Sequence, residues 1–96
     1  MVYMTASVKL HHGKLQDFIA LLNDIIPMLG KHGWKLHGSY AGIIGRLNTV
    51  VDLWELPDAN AVEKALSDPD FQKFIPRIKE IVEDETLAVL TKLPIG

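Results

Sequence analysis

An α+β fold with a four-stranded antiparallel sheet and its helices on one face follows from three observations on this 96-residue chain. Four segments read as strands. Helical periodicity separates the first from the second and the third from the fourth. No low-complexity tract, internal repeat or linker interrupts them. The order strand, helix, strand, strand, helix, strand is the split βαβ arrangement known as ferredoxin-like, and right-handed crossovers place both helical layers on the same side of the sheet.

Each element has its own signal. Val2, Met4, Ala6, Val8 and Leu10 alternate with Tyr3, Thr5, Ser7, Lys9 and His11, the period of a strand, and His12-Gly13 ends it. From Lys14 the period lengthens: Leu15, Phe18, Ile19, Leu22, Ile25, Ile26 and Leu29 mark a helix that closes at Gly30. Pro27 is expected to bend its last turn, and Lys31 and His32 stand where a helix C-terminus favours positive charge. A second strand is expected over about Trp34 to Ile44, a turn over Gly45–Asn48, and a third strand over Thr49 to Leu56, the pair forming a hairpin. Asp58 is the expected cap of a short helix ending near Leu66. Asp68-Pro69-Asp70 starts the next helix with a cap, a proline at the first helical position and a carboxylate at the positive end. Phe71, Phe74, Ile75, Ile78, Ile81 and Val82 continue it at helical spacing, with a kink expected at Pro76. Glu83-Asp84-Glu85 ends the pattern, and Thr86 to Leu93 is expected to be the last strand.

Composition narrows the function classes. A chain of 10.7 kDa supports one domain, expected over residues 1–96, because a second core would need more sequence. Hydrophobic residues make up 48% and charged residues 23%, the balance of a packed globule. Ten basic against 12 acidic residues give a net charge of -2, so no basic excess exists to neutralise a run of phosphates and nucleic acid is not an expected partner. Absent cysteine removes disulfides, thiolate nucleophiles and iron–sulfur clusters. The start lacks the basic and apolar blocks of a signal peptide, and no apolar run approaches the ~20 residues of a membrane span. A cytoplasmic protein is therefore expected. Nucleotide-binding glycine loops and the Gly-x-Ser-x-Gly elbow are missing. His11 and His12 are adjacent and point to opposite faces of an extended chain, so neither a metal nor another cofactor is expected.

The sheet face away from the helices raises a further expectation. Were it to meet water, each strand would be polar on one parity, yet Val50-Val51, Leu53-Trp54 and Leu87-Ala88-Val89-Leu90 place apolar groups on both. Exposing apolar area costs about 25 cal/mol per Å², and a second copy laid sheet to sheet removes that cost. Polar Thr5, Ser7, Lys9 and His11 support the alternative of a monomer.

The hairpin also carries a pattern. Lys35-Leu36-His37-Gly38, Ile44-Gly45-Arg46-Leu47-Asn48 and Val50-Val51-Asp52-Leu53-Trp54-Glu55 resemble the core signature of the NIPSNAP family. Val2-Tyr3, the stretch from Lys9 to Leu15 and Asp68-Pro69-Asp70-Phe71 are similar as well, so the resemblance spans nearly the whole chain. It implies a dimeric α+β barrel, two ferredoxin-like subunits joined through their sheets with helices outside. Related barrels include cofactor-free monooxygenases, haem-degrading enzymes and isomerases with pockets between sheet and helices, but such likeness assigns no reaction. The chain departs from the pattern where family members commonly carry Glu and Arg on the first strand, here Met4 and Ala6, and His on the third strand, here Asp52. Chemistry that depends on those groups is not carried over.

Among the residues themselves Asp52 is the most informative. Its parity neighbours Val50 and Trp54 direct it into an apolar layer, where a carboxyl either has a raised pKa, as a general base needs, or is held by a structural partner. Tyr40, Trp54, Phe18 and Leu22 are the expected ligand contacts beside it. Whether Tyr40 shares a face with Asp52 depends on the loop between them, an odd length uniting them and a two-residue loop separating them. Gly38 and Gly42 leave space near Tyr40 for a ligand or for close packing and bulges. His37, opposite in parity to Tyr40, belongs at the dimer face or in solvent. The leading expectation is a homodimer binding a small, largely apolar molecule in its sheet–helix pocket. Two alternatives stand beside it: a cofactor-independent oxygenase or isomerase with Asp52 as base, and a protein-interaction subunit.

Overall fold

The structure, a computed structural model, describes residues 2–96. Its elements are β1 (Val2–Leu10), α1 (Leu15–Gly30), β2 (Lys35–Ala41), β3 (Thr49–Leu56), α2 (Asn60–Leu66), α3 (Pro69–Gln72), α4 (Ile75–Ile81) and β4 (Val82–Leu90). The strands form one antiparallel sheet in the order β2-β3-β1-β4. With one helical layer on it the molecule is a slab 18 Å thick and 37 by 36 Å across.

Alternation decides which face the helices cover. Met4, Ala6, Val8 and Leu10 of β1 and Val50, Asp52, Trp54 and Leu56 of β3 are all buried beneath them. The intervening Tyr3, Thr5, Ser7, Val51 and Leu53 lie on the open face, half-buried or exposed. The core has two lobes. Met4, Trp34, Trp54 and Leu56 pack with Ile25, Met28 and Leu29 of α1 and with Ala61 and Ala65 of α2. Ala6, Val8, Leu10 and Val50 pack with Phe18 and Leu21 of α1 and with Ile81. Trp34 precedes β2 instead of starting it. Its indole Nε1 donates to the Ala61 carbonyl at 3.0 Å, and its ring meets Trp54 edge-on with centroids 5.4 Å apart.

Caps and ion pairs fix the helical layer. Asp58 Oδ1 accepts the Ala61 N–H at 3.1 Å, and Asp68 Oδ1 accepts that of Asp70 at 2.8 Å. The same Asp68 meets His32 Nε2 at 2.8 Å through its other oxygen, while Lys31 donates to Asp70 at 2.8 Å. The basic end of α1 is thereby tied to the acidic start of α3. The Asp70 N–H and then His32 hold the Asp68 carboxyl below the usual carboxylate range, and Lys31 and Lys73 do the same for Asp70.

The structure differs from the sequence reading in the second half. Pro76 does not kink one helix; the helix is divided, and Pro76 occupies the first turn of α4, where a missing N–H leaves no bond unmade. Glu83, Asp84 and Glu85 are strand, not a stop. β4 starts at Val82 directly from α4 and ends at Leu90, because Leu10 pairs with Val82 and draws the acidic run into the ladder. β2 is shorter than expected, with the connection covering Gly42 to Asn48. Gly42 is required there, since a Cβ would collide with the Arg46 carbonyl oxygen.

Leu56→Ala, at a side chain 1% exposed, is expected to lower stability by about 2–5 kcal/mol in urea denaturation. Ile44→Ala, in the hairpin loop at 90% exposure, should stay within about 0.5 kcal/mol of the parent.

Candidate functional site

Between sheet and helices lies a cavity of about 330 Å³. β1 and β3 supply its floor through Met4, Ala6 and Trp54, and its roof includes Phe18 and Leu22 of α1 with Phe71 of α3. β4 is an edge strand that the helices only partly shelter, so Leu87 and Val89, on the same side as Ala6 and Met4, keep 38% and 47% of their surface exposed. Leu87 forms part of the cavity wall on that side.

Asp52 is the buried charged residue of the floor, 3% exposed. Ser39 Oγ donates to its Oδ1 at 2.5 Å. Burial pushes its pKa above the ordinary carboxylate value, and the Ser39 hydrogen bond opposes part of that rise. The contact exists because β2 carries a bulge: Leu36 pairs with Trp54 but Gly38 with Leu53, so His37 is the extra residue and every later side chain of β2 changes face. Ser39 is thereby opposite Asp52 on the cavity side.

That slip moves Tyr40 away. It pairs with Val51 on the open face and is 64% exposed, so the structure does not bring it to Asp52. The pairing of Ala41 with Val50 leaves an even number of residues between them, the parity that separates the two side chains. The Tyr40 ring folds back over Gly38, filling the space that glycine leaves. His37 lies on the same face as Tyr40, not the opposite one. Its Nε2 is 2.8 Å from Glu55 Oε1, and its ring meets Tyr3 edge-on at 5.8 Å. Trp54, Phe18 and Leu22 do line the cavity with Asp52.

Sequence reasoning missed Glu85. Reading Glu83-Asp84-Glu85 as a helix stop removed it from any face. In β4 it pairs with Val8 and borders the same cavity. Although it reaches solvent at the rim, desolvation raises its pKa, and the charge of Asp52 adds to the rise. Period-two continuity from Glu85 through Leu87 to Val89 was the available signal. Lys79 of α4 also borders the cavity. Among the described residues no three His, Cys, Asp or Glu side chains converge as a metal site would need, and no helix is long and apolar enough to cross a membrane.

The NIPSNAP family model matches residues 3–96. Several solved structures share the fold over essentially the whole chain. An uncharacterized NIPSNAP domain protein from Burkholderia xenovorans is 25% identical with a TM-score of 0.84, covering 100% of this chain and 98% of the other. A NIPSNAP family protein from Agrobacterium tumefaciens is 22% identical with a TM-score of 0.83, covering 99% and 95%. Another from the same organism, described as of unknown function, is 21% identical with a TM-score of 0.83 and covers 100% and 91%. No curated protein matches the chain.

The raised pKa of Asp52 sets a pH dependence. The native state holds this proton more tightly than the unfolded chain, so stability falls as pH rises from the unfolded value of about 3.9 through the raised native one. Asp52→Asn lacks that loss, and its stability relative to the parent should increase as pH rises above about 4 in denaturant titrations. Ser39→Ala removes the donor that opposes the rise, so the Asp52 carboxyl should titrate at still higher pH by carbon NMR.

Proposed function

The chain belongs to the NIPSNAP family, and on that premise we propose that it acts as a homodimer whose sheet–helix cavities each bind one small, largely apolar molecule. One observation carries the ligand reading: a cavity of about 330 Å³ with apolar walls and few polar groups, within the roughly 300–1,000 Å³ of small-molecule pockets. Trp54, Phe18 and Leu22 are the contacts that grip the ligand, and Asp52 orients it. Each protomer is the single domain expected over residues 1–96.

Pairing is supported by the open face. Tyr3, Tyr40, Val51, Leu53, Ala88 and Leu90 stand together there by register, and Tyr40, Val51 and Leu90 are exposed. Apolar side chains grouped in this way on an open sheet face, even among Thr5, Ser7 and His37, are uncommon on a monomer. The occupant that matches it is a second copy of the same face, as a two-fold interface requires.

A second reading rests on Asp52 alone. A buried carboxyl with raised proton affinity suits a general base acting on an enolisable or aromatic substrate without a cofactor. Under that reading Asp52→Asn abolishes turnover while the protein keeps its mass in solution.

Light scattering should give twice the 10.7 kDa chain mass, and Val51→Glu on the open face should halve it. A monomeric parent would overturn the pairing. N-phenyl-1-naphthylamine should bind saturably and quench tryptophan fluorescence, and Ala6→Leu, which fills the cavity floor, should weaken it about tenfold or more. A probe that does not saturate would overturn the ligand reading.

A further inference from the structure

We propose that the cavity selects a small molecule with an aromatic or aliphatic body and one protonated amine, the ammonium lying between Asp52 and Glu85. This rests on the reading of the cavity as a ligand site and adds the chemical class of the ligand.

Asp52 has one of its two carboxyl oxygens engaged by the protein. Its Oδ1 accepts from Ser39, and among the described residues no side chain or backbone N–H donates to Oδ2. Yet among the described residues no buried side-chain oxygen is sealed away without a partner. Asp52, 3% exposed, borders the cavity, so its second oxygen is an acceptor that a ligand there can engage. Buried carboxylates are normally met by donors, and one left facing an apolar space favours a ligand that brings them.

The second acid is placed to share that ligand. Asp52 and Leu87 both pair with Ala6 of β1, and Glu85, two residues before Leu87 on the same face of β4, pairs with Val8. β3 and β4 are two strand spacings apart, about 10 Å. Ala6, beside Asp52, carries only a methyl group, and Asp52 and Glu85 border the same cavity. No Lys, Arg or His lies within ion-pairing distance of either acid among the described residues, whose ion pairs involve other groups. Two acids without a protein cation, bordering a cavity with Trp54, Phe18 and Phe71 on its walls, complement an amine joined to a flat or aliphatic body. A divalent metal is the poorer match, since no third acidic or imidazole ligand joins them. Lys79 at the rim opposes the ammonium and limits its affinity.

Calorimetry with three probes of matched size at neutral pH tests this: 2-phenylethylammonium, 2-phenylethanol and 3-phenylpropionate. The amine should bind about tenfold more tightly than the alcohol, with the carboxylate weakest. Asp52→Asn should cost the amine about tenfold and leave the alcohol within about threefold. Glu85→Gln, at the rim where folding is not at stake, should act in the same direction, and Lys79→Met in the opposite one. Equal binding of amine and alcohol, or a preference for the carboxylate, would overturn the amine assignment while leaving the cavity a ligand site. Failure of all three to bind would overturn both.

Discussion

A carboxyl group inside an apolar layer costs several kcal/mol unless a donor meets it, and in this protein the donor arrives through one extra residue. The bulge at His37 shifts β2 against β3, turns Ser39 toward the helices and sets its hydroxyl on Asp52. Without it Ser39 would lie on the open face, Gly38 would stand opposite Asp52 and Tyr40 would turn to the helix side opposite Val50. The same shift sends Tyr40 and His37 outward, where His37 finds Glu55 and Tyr3. One backbone irregularity thus furnishes the polar point of the cavity floor and the aromatic character of the opposite surface.

The helical layer then determines how the cavity is shaped. α1 runs over β1 and β3 with Phe18, Leu21, Ile25 and Leu29 buried against the sheet. The ion pairs from Lys31 and His32 to Asp70 and Asp68 anchor its far end on α3. The division of the second helical segment into α3 and α4 leaves β4 less covered than its neighbours. That is why Glu85 and Leu87 border a cavity while retaining contact with water.

Most of the architecture was legible in the sequence. β1, α1 and β3 have unambiguous periods bounded by Gly13, Gly30 and Pro57, and Asp68-Pro69 carries its own helix signal. The site was less so. Asp52 was visible as a carboxylate flanked by Val50 and Trp54, and Phe18, Leu22 and Trp54 as apolar residues on inward faces. Tyr40 was not placeable, because Gly38 and Gly42 allowed a bulge without fixing its position, and a bulge inverts the parity of everything after it. Glu85 was hidden for another reason: three consecutive acids read as a break, whereas the ladder with β1 holds Glu85 on the inner face and Asp84 on the outer one. Pairing between distant segments overruled local preference there.

β3 serves two environments with alternate residues, Asp52 and Trp54 facing inward and Val51 and Leu53 outward. Substitutions along it are therefore separable lesions, each felt on one side. A deletion is not. Losing a single codon between Thr49 and Asp52 would carry the acid to the exterior and seat a valine or leucine under α1, so this ribbon can absorb changes of spelling but not of reading length.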